Sequence, residues 1–169
     1  MTSHDVISWL RKLFGFKRIG HGGTLDPNAV GVLPIAVGKA TRLLEYILES
    51  DKEYRCEMVL GIVTTTQDLD GVLLEKKPVS RSQLEKLSDI ATGFKGEICQ
   101  IPPMTSAVRH QGKRLYQLDR EGKAVQRKSR KVFIHELSIL KTFFYDGHPL
   151  VLFDVVCSKG TYIRTLCHD

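Results

Sequence analysis

The sequence predicts an α+β domain: a mixed, largely antiparallel β-sheet with flanking helices. Three observations predict it. Residues 52–62, 132–142 and 150–157 alternate apolar and polar positions, the period of strands, and the last two flank a turn rich in Asp, Gly and Pro. Residues 6–14 and 39–48 instead repeat their apolar positions at helical spacing. A chain of 169 residues, 42% of them hydrophobic, is long enough to bury one substantial core.

Each element follows from local pattern. Val6, Ile7, Trp9, Leu10, Leu13 and Phe14 line one face of a first helix, with Ser3 as its N-cap and Gly15 past its end. Ala40, Leu43, Leu44 and Ile47 line a second. In the first strand Tyr54, Cys56, Met58 and Leu60 point one way. On that face Tyr54 reads first as a core residue. Gln67-Asp68-Leu69-Asp70-Gly71 is a turn, residues 72–74 form a returning strand, and Pro78 ends it. Ser80 with Gln83 forms a capping box for a helix reaching about Ile90. Residues 97–101 read as a short strand stopped by Pro102-Pro103, and residues 106–110 as another. Residues 115–120 are helical. The turn Tyr145-Asp146-Gly147-His148-Pro149 joins the hairpin strands, and after Gly160 residues 161–166 begin a last helix.

Composition narrows the function. No apolar run approaches the ~18 residues of a membrane span, and the N-terminus lacks the basic and apolar regions of a signal peptide. Cys56, Cys99, Cys157 and Cys167 include no C-x-x-C pair, which points to reduced, structural thiols and an intracellular, cytoplasmic protein. The net charge is +6. Lys113, Arg114, Arg120, Lys123, Arg127, Lys128, Arg130 and Lys131 stand against only Asp119 and Glu121, so this stretch carries the whole excess. A basic patch on a neutral body suits a polyanion, although a solvated basic surface has the same composition.

The densest cluster of chemistry-bearing residues is Gly20-His21-Gly22-Gly23-Thr24-Leu25-Asp26-Pro27. Asp26-Pro27 reads two ways: as N-cap and first residue of a helix, or as a carboxylate presented on a glycine loop for catalysis. The loop lacks a third glycine where Leu25 stands, so it fails the dinucleotide fingerprint. Gly38-Lys39-Ala40-Thr41 fails as a phosphate loop, because its hydroxyl is one residue late and Leu33 stands where a glycine is needed. The six histidines have no metal-ligand spacing. Tyr162 and Arg164 follow Gly160 at a strand-to-helix corner, where an arginine near Asp26 would hold its carboxylate ionised and oriented.

Three of these stretches together resemble the TruB family of pseudouridine synthases. Residues 20–27 with Gly31-Val32-Leu33-Pro34 are similar to the family's catalytic motif. Asp51-Lys52-Glu53-Tyr54-Arg55 is similar to its second motif, and Ser158-Lys159-Gly160-Thr161-Tyr162-Ile163-Arg164 to its third. Residues 66–71, 102–109 and 112–116 add to the likeness. The resemblance implies the pseudouridine synthase fold and isomerisation of uridine to pseudouridine, at position 55 in the T loop of tRNA, without metal or cofactor. It implies Asp26 as nucleophile, at the sugar C1′ or on the uracil ring, and Arg164 as its partner within salt-bridge reach. Tyr162 would take the proton from C5, Tyr54 would stack on the flipped base and His21 would hold the rearranged RNA loop. The basic stretch at about 111–131 corresponds to a thumb-like RNA-binding insertion. Lys113, Arg114, Arg127, Lys128, Arg130 and Lys131 are its candidate contacts.

By the same likeness, residues 1–169 are an incomplete catalytic domain of a monomeric enzyme, lacking a first strand and a C-terminal RNA-binding region. The competing expectations are a guide-RNA-dependent subunit, disfavoured by the insertion, and a non-catalytic RNA-binding module, which would have no need of Asp26. Phosphate binding by the insertion makes affinity fall with salt. Neutralising Arg127, Lys128, Arg130 and Lys131 is therefore expected to raise KM for a tRNA T-stem-loop. It should also flatten the slope of log KM against log salt, by about one for each phosphate that these cations bind. An unchanged slope would exclude phosphate binding there.

Overall fold

A computed structural model describes residues 1–169, which divide into two compact units, Met1–Ser50 and Asp51–Asp169. The first unit begins with α1 (Ser3–Phe14). Its N-cap is Thr2, one residue earlier than expected: the Thr2 hydroxyl accepts from the Asp5 N–H at 3.2 Å, and the Thr2 N–H donates to the Asp5 carboxylate at 2.7 Å. Ser3 is thereby freed to bond elsewhere. Gly15 closes the helix in the left-handed region. The apolar face is narrower than its spacing predicts, for Ile7 is buried while Trp9, Leu13 and Phe14 are exposed. Strands β1 (Ile19–His21) and β2 (Ile35–Val37) pair antiparallel. The expected second helix is split into a 3₁₀ segment, Gly38–Leu43, and α2 (Leu44–Glu49).

The second unit is built on a four-stranded antiparallel sheet. Its strands are β3 (Lys52–Val59), β6 (Gly96–Gln100), β9 (Arg130–Tyr145) and β10 (His148–Cys157), in the order β3-β10-β9-β6. The β9–β10 hairpin is longer than its alternation shows, and its register shifts between Leu152 and Phe153 and again between Val156 and Cys157. Between β3 and β6 lie the small ladder of β4 (Ile62–Thr64) and β5 (Leu73–Lys76) and the helices α3 (Arg81–Glu85) and α4 (Leu87–Gly93). The Ser80–Gln83 capping box is present as expected. After Cys157 the chain turns at Gly160 into α6 (Ile163–His168).

One face of the sheet carries the core. Val151, Phe153, Val155 and Cys157 alternate along β10 and pack with Ile134 and Leu137 of β9, Ala91 of α4 and Leu166 of α6. On the other face Arg55 and Asp154, directly opposed in register, form a two-pronged ion pair at 2.7 Å, which holds the Asp154 carboxyl below its ordinary range. All four cysteines are free thiols. Cys56 and Cys167 meet at 3.7 Å across the β3–α6 contact; their shared hydrogen bond draws Cys56 down and, with burial, pushes Cys167 up.

The first part of the basic stretch folds as a hairpin and a helix, β7 (Arg109–His110), β8 (Lys113–Arg114) and α5 (Leu115–Arg120); Lys123, Arg127 and Lys128 follow in irregular backbone, and Arg130 and Lys131 begin β9. Leu115 and Leu118 bury the inner side of α5. Glu121 sits just past the helix, between Lys113 and Lys123, each 2.8 Å away. Hydrogen bonds from Lys113 and then Lys123 hold its carboxyl down to about 2 against an ordinary value of 4.5. A carboxyl depressed in the folded state adds stability above its unfolded value and loses it as pH falls.

Two expectations follow from this packing. Ile134 has no exposed surface, so Ile134→Ala should lower unfolding stability by about 2–5 kcal/mol in denaturant titration; a loss below ~1 kcal/mol would mean that the site collapses onto the missing atoms. The Glu121 carboxyl should titrate near 2 by carbon-13 NMR, so that the clasp is intact above pH 4.5 and opens as pH falls towards 2. In Lys113→Met with Lys123→Met the midpoint should rise to the ordinary value, and molar salt should raise it part of the way because the pair is exposed.

Candidate active site

The expected residues fall in both units. His21 and Asp26 belong to the first; Tyr54, Tyr162, Arg164 and the basic stretch belong to the second.

In the first unit the glycine loop leaves β1 after His21 and returns at β2. The Gly22 N–H donates to the Pro34 carbonyl at 2.8 Å and closes its base. A Cβ at Gly22 would stand 2.7 Å from Ile47 Cγ2, so only glycine lets α2 pack there. Buried Ser3 takes the Leu25 N–H on its hydroxyl at 3.0 Å and fixes the backbone immediately before Asp26. Asp26 itself is exposed and opens a turn, its carbonyl accepting from the Ala29 N–H at 2.9 Å. No helix follows it, which removes the helix-cap reading: Asp at the first and Pro at the second position suit a β-turn equally well. His21 is half-buried in β1, and its Nδ1 is buried without a hydrogen-bond partner.

In the second unit one edge of the sheet gathers the start of β3, the end of β6, the start of β9 and the end of β10. Tyr54 lies opposite Val155, on the core-side face of edge strand β3. It is 36% exposed there, so it is not the core residue that its alternation suggests. Tyr162 is the N-cap of α6, and Arg164 lies in the first turn. The Arg164 side chain is only 14% exposed. Its Nη1 donates to the Thr66 carbonyl at 3.1 Å, to Asp68 Oδ2 at 3.0 Å and to Thr105 Oγ1 at 2.7 Å; its Nη2 donates to the Thr105 carbonyl at 3.3 Å. Thr165 donates to Gln67 at 2.8 Å, tying α6 again to the same loop.

That loop is a formed receptor. Asp68 accepts from the Thr66 hydroxyl and from the Asp70 N–H, and Thr64 donates to the Asp68 carbonyl. Gly71 closes it: a Cβ there would come within 2.9 Å of Thr64 and closer still to Thr66, so no side chain fits. Residue-by-residue reading missed Asp68, Thr105 and Gln100 as site residues. The turn at 67–71 was visible, but its contact with Arg164 spans 96 residues.

The candidate RNA-contacting cations differ in their freedom. Lys113 is paired with Glu121, Arg114 donates to the Ala107 carbonyl, Arg127 donates to the Pro102 carbonyl and Lys131 is paired with Glu97. Lys128 and Arg130 are exposed. The first four would exchange a protein partner for a phosphate. No three His, Cys, Asp or Glu side chains converge as a metal site.

The family model described as TruB family pseudouridylate synthase (N terminal domain) matches residues 11–163. A tRNA pseudouridine synthase B from Moorella thermoacetica is 53% identical over 169 residues, covering 100% of this chain and 55% of the relative. One from Streptococcus pneumoniae is 51% identical over 171 residues, covering 100% and 59%. Among solved structures, a chain in a Cbf5–Nop10–Gar1 complex matches with a TM-score of 0.69 at 33% identity, over 99% of this chain and 39% of that one. A chain in an H/ACA RNP bound to a substrate RNA containing 2′-deoxyuridine matches with a TM-score of 0.66 at 29% identity, over 99% and 38%. The chain spans about half the length of the curated relatives it matches. The helix start that carries Tyr162 and Arg164, the loop that presents Asp26 and these likenesses lead to one assignment: the chain belongs to the TruB family of pseudouridylate synthases.

Proposed function

We propose that this chain is the catalytic part of an enzyme that isomerises uridine to pseudouridine in the T loop of tRNA, acting as a cytoplasmic monomer. The observation that carries the reading is the fixing of Arg164. A guanidinium this buried, with hydrogen bonds to three residues of two loops, is held in place before any substrate arrives. Such preorganisation is what electrostatic catalysis requires. The relatives at 53% and 51% identity carry the name of a tRNA enzyme, whereas the chain of the Cbf5 complex stands at 33%, which favours tRNA over a guided substrate.

The reaction keeps every atom of the substrate. The N1–C1′ bond breaks, the uracil turns, a C5–C1′ bond forms, and the proton lost from C5 is balanced by one gained at N1. Asp26 supplies the nucleophile, at C1′ or on the uracil ring, from an exposed turn. The family resemblance assigns Arg164 to the same reaction, and within its own unit Thr66, Asp68 and Thr105 hold it. The base must leave its stack to be reached. Tyr54, partly exposed, offers a ring to stack upon, and stacking of this kind contributes about 1–3 kcal/mol per base. Tyr162 takes the C5 proton. His21 and the basic insertion hold the RNA, the insertion through phosphates and without sequence choice.

The test is to incubate the full-length protein with an unmodified T-stem-loop transcript and to assay for pseudouridine. Wild-type protein should convert the loop uridine unaided. Asp26→Asn should lose at least about 10⁴-fold in kcat while still binding the transcript. Conversion by the Asn variant at the wild-type rate would sink the nucleophile assignment, and conversion only with an added guide RNA would sink the tRNA reading.

A further inference from the structure

We propose that Gln100 is a positioning residue for Tyr162, fixing the tyrosine that serves the C5 proton; the proposal rests on the isomerase reading. Gln100 is the last residue of β6 and is 1% exposed. Its Oε1 accepts from the Tyr162 N–H at 3.0 Å, and its Nε2 donates to the Tyr162 carbonyl at 3.2 Å. One amide thus grips the two main-chain polar groups on either side of a single Cα. The orientation of the amide is dictated by its partners, because an N–H can face only the oxygen and a carbonyl only the NH₂.

The grip accounts for an anomaly in the sequence. Tyr162 occupies the N-cap of α6 and makes no side-chain cap. Ser, Thr, Asp or Asn is preferred at that position, because their side chains satisfy the first N–H groups of a helix. Gln100 supplies, from a strand 62 residues away, the acceptor for the N-cap N–H that the N3 side chain of a capping box would supply locally. The start of α6 is therefore fixed through the main chain of Tyr162, with its side chain left out of the cap. With the groups before and after its Cα both anchored, Tyr162 has its φ and ψ set, and the direction of its Cα–Cβ bond with them. Further along α6, the Tyr162 carbonyl also accepts from the Leu166 N–H at 3.0 Å, so the anchor continues into the helix. A buried amide is costly unless both its ends are paired, and here both ends are spent on one residue.

The test uses the full-length protein, a T-stem-loop transcript and the near-isosteric variant Gln100→Met, alone and combined with Tyr162→Phe. Misplacing a reacting group by about an ångström costs about 10²-fold in rate. Gln100→Met should therefore lower kcat by about 10²-fold with KM nearly unchanged, and exchange of the Tyr162 amide hydrogen should accelerate. In the Tyr162→Phe background the same substitution should cost little more, because the group it positions is already gone. An equal loss in both backgrounds, or a loss confined to KM, would overturn the proposal. Should Gln100→Met fail to fold, Gln100→Asn carries the same comparison, since it draws the same amide back by one methylene from both the Tyr162 N–H and the Tyr162 carbonyl. Wild-type protein that makes no pseudouridine overturns the isomerase reading and the catalytic purpose of the grip together. Amide exchange then judges the grip alone, and an unchanged rate at Tyr162 in the variant overturns that as well.

Discussion

The second unit depends on finding partners for one nearly buried cation. A guanidinium removed from water costs several kcal/mol unless it is paired and its donors are satisfied. Arg164 meets that demand with a carboxylate, a hydroxyl and two carbonyls drawn from residues 66–68 and from Thr105. Neither segment belongs to the four-stranded sheet. Their positions follow from the arginine, and the arginine's from α6, whose Leu166 is locked into the core against β9 and β10. Packing thus sets the helix, the helix sets the charge, and the charge orders the loops.

The same logic explains why the loop at 67–71 is so tightly specified. Its task is to offer oxygen atoms to a cation at fixed places. Asp68 is held by the Thr66 hydroxyl and the Asp70 N–H before it meets Arg164. Gln67 takes a positive φ of 61°, uncommon for a residue with a side chain, and from there receives Thr165. Strain of that kind persists where the surroundings over-determine it, and the α6 contacts do so here.

Much of the scaffold was legible because it rests on local rules. The capping box at Ser80, the stop at Gly15, the β9–β10 hairpin and the helix after Gly160 all depend on residues a few positions apart. The misreadings share the opposite cause. Ser3 looked like a cap, but Thr2 caps and Ser3 serves Leu25, 22 residues away. Tyr54 looked like core, since alternation reports which face a side chain takes and not how far the core extends along an edge strand. Asp26-Pro27 looked like a helix start, and only the backbone after it distinguishes a cap from a turn. Asp68 and Thr105 stood in stretches that the sequence marks, but their roles and that of Gln100 gave no local signal, because each acts on a partner between 59 and 96 residues distant.

These misreadings are informative where they coincide with chemistry. A sequence specifies its fold through agreement between local preference and tertiary structure, and departures tend to collect at working sites. This chain has three departures, one in the first unit and two in the second. The aspartate-proline pair starts no helix, an aromatic residue stands partly exposed on a core-side face, and a tyrosine caps a helix it cannot cap. Each has a remote compensation or a cost that packing alone does not explain. Ser3 holds the backbone before Asp26, and Gln100 holds the backbone of Tyr162. In both places a buried polar side chain fixes main chain beside a proposed site residue. On the proposed roles of Asp26 and Tyr162 the arrangement has a purpose: main chain held from outside sets the direction of each Cα–Cβ bond before a nucleotide arrives.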